Sequence, residues 1–279
     1  MKPILEILPQ EQRALYPHLA QITGLGFVLF GGTAIALQLG HRQSVDFDFF
    51  THKSIDRSQK TLLTLEGIKV GTILQQEKDT LVFMTESKVK LSFFGDMDFV
   101  SKAKATQTDD GILRIADMQS LLATKLKATC DRAEYKDYFD VAMILRQTDI
   151  SLKNALNDVG VFFGSDFPLV QILKGLTYFD DGDLHRLTEQ DKKLLIKESK
   201  EASQWLSAAC ELQAKFDRVL GNIERTSDEK QREKFLQKAE SLCKEAQGKH
   251  IRLDSKRVGR LDKYSKRIGI NKDKGLGEE

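Results

Sequence analysis

Gly31-Gly32-Thr33, followed at a short distance by Asp46-Phe47-Asp48, constrains this chain more than any other feature. Residues two apart on a strand share a face, so an extended Asp46-Phe47-Asp48 aims both carboxylates the same way. Two unpaired charges are costly inside a core. They make a good clamp for a divalent cation, because Mg²⁺ is held by one or two carboxylates plus substrate phosphates. The Gly-Gly-Thr turn ahead of them lets backbone come close to a phosphate. The pattern therefore predicts a strand, a glycine turn, a helix and a second strand around a site for a metal-bound nucleoside triphosphate.

The residues around the pair fit that pattern. Phe27–Phe30 predicts a short buried strand, and Thr33–Leu39 has helical spacing that stops at Gly40. Val45–Phe50 predicts the next strand. Arg42, Ser44, Asp46 and Asp48 alternate with other residues and would share one extended face, with Val45, Phe47 and Phe49 on the other. Further strands are expected at 69–74, 80–85, 88–94 and 111–115. Those at 80–85 and 88–94 form a hairpin across Glu86-Ser87. Helices are expected at 9–22 and near 55–65.

From Asp117 onward the spacing is helical. Asp117 is a candidate N-cap for a helix over 118–132, with others over 134–147, 151–158 and 167–178. Thr188-Glu189-Gln190-Asp191 resembles a capping box for a long helix running towards Leu220. Ser227 would cap another that ends near Gly248. The chain thus reads as α+β, with a mixed sheet and flanking helices over 1–116, helices over 117–248 and a basic tail over 249–279, partly disordered.

A third constellation lies on the predicted helices. Lys125, Thr129, Arg132, Lys136 and Asp140 fall within about 80° of one another if the helix is continuous or two helices run end to end. That stripe would form a basic wall able to neutralise phosphates.

Composition narrows the function classes. Net charge is only +2, yet residues 218–279 hold 17 Lys and Arg against 11 Asp and Glu, a net of +6. That asymmetry suits an acidic partner such as a nucleic acid or an acidic protein. Cys130, Cys210 and Cys243 lie far apart, so neither a zinc site nor a disulfide framework is indicated. With no signal-like start and no long apolar run, a cytoplasmic location and no membrane partner are expected.

The strings LFGGTAIALQLGHRQSVDFDFF and, downstream, KLKATCDRAEYKDYFDVAMIL carry a resemblance. Strand, Gly-Gly-Thr, helix and a D-x-D strand resemble the polymerase-β-type nucleotidyltransferases. The longer strings resemble the AbiEii/AbiGii-type nucleotidyltransferases, toxins of type IV toxin–antitoxin and abortive-infection systems. The resemblance spans about residues 25–145, and LTYFDDGD at 176–183 also fits it.

The resemblance implies a polymerase-β-like head completed by a helical domain. It implies transfer of a nucleoside monophosphate from a nucleoside triphosphate to an acceptor, with tRNA or other RNA the foremost candidate. A cognate antitoxin would be a partner. Asp46 and Asp48 would ligate two Mg²⁺ (or Mn²⁺) ions. Gly31, Gly32 and Thr33 would hold the triphosphate, with Arg42, Ser44, Arg132 and Lys136 beside it. Lys125, Asp137 and Asp140 would complete the catalytic set. Transfer to a small molecule or a protein, or an NTP- or RNA-binding module without turnover, are the alternatives.

One departure stands out. Relatives of this type often carry a third carboxylate on a later strand. Here the outward positions of 88–94 are Lys88, Lys90, Ser92 and Phe94, with Ser92 where an acid would stand. Asp96 or Asp98 could substitute, or Asp137 or Asp140 could act as general base.

Overall fold

The computed structural model describes residues 1–249, 251, 253 and 255–267. Strands β1 (Val28–Phe30) and β2 (Asp46–Phe50) pair antiparallel at the middle of a seven-stranded sheet. The other strands are β3 (Val70–Glu77), β4 (Thr80–Thr85), β5 (Lys90–Phe94), β6 (Ala105–Gln107) and β7 (Arg114–Ala116). The sheet order is β3-β4-β5-β2-β1-β7-β6. The β2–β5 and β1–β7 pairings are parallel and the rest antiparallel. The mixed α+β character expected from the sequence is therefore present.

Alternation along β2 explains its two faces. Phe47 and Phe49 are fully buried, whereas Asp46, Asp48 and Phe50 are only partly so. Phe49 stacks on Phe93 of β5, and Phe93 stacks on Phe83 of β4. This aromatic ladder fixes the β2 register, because a slip of one residue would bury the aspartates and expose the rings.

Among the described residues, twelve α-helices flank the strands in chain order. The first half holds α1 (Gln10–Leu15), α2 (Ala20–Gly24), α3 (Gly31–Leu39), α4 (Gln59–Leu62) and α5 (Phe99–Lys102). Next come α6 (Met118–Asp131), α7 (Tyr135–Gln147), α8 (Leu152–Phe163) and α9 (Leu169–Gly175). The last three are α10 (Glu189–Arg225), α11 (Glu229–Gly248) and α12 (Ser255–Arg267). Helix α3 packs on β1, β2, α6 and α7, and α6 packs on α7, α8 and α9.

Several expected elements are altered for local reasons. The helix expected over 9–22 is split by a 3₁₀ turn, Tyr16–Leu19, with Pro17 in its first positions, because proline cannot donate to the helical ladder. Only Gln59–Leu62 of the 55–65 region is α-helical. Strand β3 reaches Glu77, and β6 was not expected. Asp117 does cap α6, accepting from the Ser120 N–H at 2.8 Å. Thr188 and Asp191 exchange the reciprocal bonds of a capping box at the start of α10. Asp228, not Ser227, caps α11 through the Lys230 and Gln231 N–H groups.

The chain divides into two compact units, Met1–Lys200 and Glu201–Glu279. The division falls within α10, and the expected boundary at 116/117 lies inside the first unit. In the second, Leu212, Phe216 and Leu220 of α10, Leu236 and Ala239 of α11 and Leu261 of α12 share one apolar core. Trp205 packs against that core and donates its indole N–H to the Lys249 carbonyl. Within the tail expected over 249–279, Ser255–Arg267 form α12. The rest of that tail, expected to be partly disordered, lies mainly outside the described residues. No helix among the described residues is long and apolar enough to cross a membrane.

Candidate active site

The glycine turn and the aspartate strand meet as the sequence requires. Helix α3 begins at Gly31 itself, with Phe30 at the cap position and no side-chain cap bond. Its first backbone N–H groups are thus left for an anion. Gly31 has φ +76°, a conformation that favours glycine. A Cβ there would sit 2.7 Å from Asp48 Oδ2, and one on Gly32 would collide with the Arg42 guanidinium. Both glycines therefore keep backbone open directly beside the carboxylate pair.

Thr33 and Ser44 bond each other beneath the turn. Thr33 is buried, its Oγ1 lies 2.8 Å from Ser44 Oγ, and it also bonds the Asp46 carbonyl. The two hydroxyls pin α3 to the start of β2. Strand β2 begins only at Asp46, so Arg42 and Ser44 belong to the preceding loop and not to the strand face.

Arg42 reaches across to α7. Its Nε and Nη2 donate to Asp140 Oδ1 and Oδ2 at 2.6 and 2.8 Å, a bidentate fork. His41 Nε2 donates to Asp140 Oδ1 at 2.8 Å from a fully buried ring. Lys125 of α6 lies 3.0 Å from Asp140 Oδ2 and 2.6 Å from Asp137 Oδ1. Arg132 Nε donates to Asp137 Oδ2 at 2.8 Å. Asp137 and Asp140 are both 0% exposed. Two buried carboxylates are thus compensated by two arginines, a lysine and a histidine drawn from the loop before β2, α6 and the α6–α7 junction.

The predicted polar stripe takes another form. The helix breaks at Arg132, whose backbone is extended, and α7 turns back to pack on α6. That fold-back brings Lys125 to both aspartates. It leaves Lys136 outside, half-exposed and paired with Glu134 at 3.0 Å. Thr129 donates to the Leu126 carbonyl and takes no part.

Electrostatics separate the two aspartate pairs. Burial would raise the Asp140 carboxyl, but bonds from Arg42 and His41 and the Lys125 charge outweigh it and hold it well below the carboxylate range. Asp137 is likewise pushed up by burial and pulled further down by Lys125 and Arg132. Such groups are poor proton acceptors, which counts against either acting as a general base. Asp48 goes the other way. Burial raises it, Ser92 lowers it by hydrogen bonding, and the neighbouring Asp46 charge raises it again.

Ser92 occupies the expected third-acid position, directly opposite Asp48 in the β2–β5 register. Asp96 and Asp98 lie beyond the end of β5, and no group of three or more His, Cys, Asp or Glu side chains converges among the described residues. Asp46 and Asp48 still suit a divalent cation. They are hard oxygen donors at the glycine cradle, and substrate phosphates would complete the shell.

Two contributors were not assigned a role from sequence. His41 reads as an ordinary local hydrogen-bonding residue until α7 brings Asp140 to it. Asp183, in the LTYFDDGD segment, accepts from the Tyr135 N–H at 2.6 Å. It so fixes the start of the helix that carries Asp137 and Asp140. Beside Arg132 a cavity of about 290 Å³ opens, lined in part by Cys130, Tyr138, Gln171 and Tyr178.

The family of AbiEii nucleotidyl transferase toxins of type IV toxin–antitoxin systems matches residues 13–220. The chain belongs to the AbiEii family. An uncharacterized protein of Aquifex aeolicus (strain VF5) is 33% identical over 181 residues, covering 62% of this chain and 84% of that one. A crystal structure of an H. pylori protein described as a nucleotidyltransferase aligns with TM-score 0.42 and 18% identity. It covers 70% of this chain and 94% of that one. A nucleotidyltransferase-like protein from Paracoccidioides brasiliensis aligns at 0.41 and 14%, covering 62% and 94%. The AbiEii match spans both the carboxylate pair and the cation cluster, and the chain is a nucleotidyltransferase.

Proposed function

We propose that this AbiEii-family enzyme transfers a nucleoside monophosphate from a nucleoside triphosphate to an RNA acceptor, and that it acts as the toxin of a toxin–antitoxin pair. The observation that carries the chemistry is the meeting of Gly31, Gly32, Asp46 and Asp48 at the N-terminus of α3. The basic balance of residues 218–279 supports a nucleic-acid acceptor.

In this reading the α3 N-terminus and the glycine backbone receive the β- and γ-phosphates. Asp46 and Asp48 hold Mg²⁺ or Mn²⁺, which when bound would stabilise charge on the transferring phosphoryl group. Arg42 sits over Gly32, so it faces the leaving pyrophosphate. Lys125 and Arg132 add positive potential near Asp48. Asp137 and Asp140 hold these cations in place and do not accept the acceptor's proton. Thr33 and Ser44 position the turn. Lys136, outside the cluster, faces solvent where a polyanionic acceptor could reach it. We further assign Met1–Lys200 as the catalytic unit and Glu201–Glu279 as the unit that grips the acceptor or antitoxin.

The test is a labelling assay. The protein and an Asp46→Ala/Asp48→Ala variant are incubated with Mg²⁺, each α-labelled NTP and total cellular RNA or cell protein. The expected result is label in tRNA-sized RNA with the wild type only. Label confined to protein, or to neither fraction, would contradict the RNA assignment.

A further inference from the structure

The β2–β5 pair sets three rungs on the site face. Asp46 stands opposite Lys90, Asp48 opposite Ser92 and Phe50 opposite Phe94. Lys90 Nζ lies 3.3 Å from Asp46 Oδ2. Ser92 stands beside Asp48 in the register, and Phe50 stacks on Phe94 with ring centroids 4.8 Å apart. The strand that would supply a third carboxylate therefore supplies an ammonium, a hydroxyl and an aromatic ring.

We propose that Lys90 takes the place of a second divalent cation. The site then binds one such ion through Asp48 and Asp46, and the Lys90 ammonium provides the other positive charge. This rests on the metal-clamp reading above and departs from the two-ion arrangement that the family resemblance implies.

Charge balance carries the argument. Two divalent ions bring four positive charges about 4 Å apart, while this face offers two carboxylates, one already paired with Lys90. A second ion at Asp46 would meet the ammonium at close range, where like charges repel strongly. Ser92 is buried, and its hydroxyl adds no charge. The Phe50–Phe94 stack offers no donor at the next rung. Lys90 has what the role needs. It is a compact charge with three donors and no required coordination geometry, and its side chain is 35% exposed, so its head can pass from Asp46 to a phosphate oxygen.

The experiment counts bound ions. The full chain is titrated with Mn²⁺, alone and with inorganic triphosphate, and free Mn²⁺ is read by electron paramagnetic resonance. The wild type should bind one Mn²⁺ per chain in the tight class. Lys90→Met, checked for folding by circular dichroism, should bind that ion severalfold more tightly, since Asp46 is released. Adding Ser92→Asp to Lys90→Met should raise the count to two. Two tight ions in the wild type, or unchanged affinity in a folded Lys90→Met protein, would overturn the role of Lys90 and leave the clamp standing. No binding by the wild type under either condition would overturn the clamp itself.

Discussion

The two units use charge in opposite ways. In Met1–Lys200, Asp137 and Asp140 are fully buried and held by Arg42, Lys125, Arg132 and His41. In Glu201–Glu279 the core is apolar, and ion pairs such as Arg257–Asp217 and Arg260–Glu224 lie towards solvent. Buried ion pairs are a poor way to gain stability, because desolvation offsets most of the attraction. A fold seeking only stability would resemble the second unit. The first keeps a costly cluster beside the glycine turn, which makes sense if those cations serve a phosphate.

This comparison can be broken most directly at Asp140. Asp140→Asn removes the carboxylate that His41, Arg42 and Lys125 share and leaves Arg42 and Lys125 under-compensated. We expect a loss of about 3–5 kcal/mol in denaturant unfolding. Its pH dependence adds a signature. Asp137 and Asp140 have folded-state values below their unfolded ones. Their stabilisation is therefore present above the unfolded value, about 3.9, and is lost as pH falls through the folded value. The wild-type stability curve should drop in that acid range, and Asp140→Asn should flatten the drop.

In the second unit the expected losses are smaller and of another kind. Leu220→Ala, in the apolar core, should cost about 2–3 kcal/mol and shift the whole pH curve without changing its shape. Arg257→Ala removes a forked pair with Asp217, whose bonds are 2.8 and 2.9 Å. At a part-exposed site it should cost about 1 kcal/mol or less and matter less in high salt. An Arg257 effect as large as that of Asp140 would erase the distinction between the units.

What was legible in the sequence follows the range of each cause. Asp46-Phe47-Asp48 announces its faces because strand alternation is local, and Gly40 and Asp117 end and begin helices by their own backbone chemistry. The Lys125–Asp137–Asp140 contacts were only half visible. Helical spacing placed these residues near one another, but the break at Arg132 and the fold-back of α7 are tertiary events. The pairing of Arg42 with Asp140, 98 residues away, has no local signal. Neither does the fall of Lys90 opposite Asp46, which depends on a parallel register between β2 and β5. Helix α12 was hidden because its polar, basic composition resembles a solvated tail.

Asp48 tests the central claim most directly, by its stability and transfer activity measured together in wild type and Asp48→Asn. The folded protein holds the Asp48 carboxyl above its ordinary value, so at neutral pH the ionised group costs stability where it sits. A residue kept for chemistry at such a cost should behave accordingly. Asp48→Asn should leave unfolding stability unchanged or raised at pH 7 and lower nucleotidyl transfer by about 10³-fold or more. Full transfer by a folded Asp48→Asn protein would contradict the account.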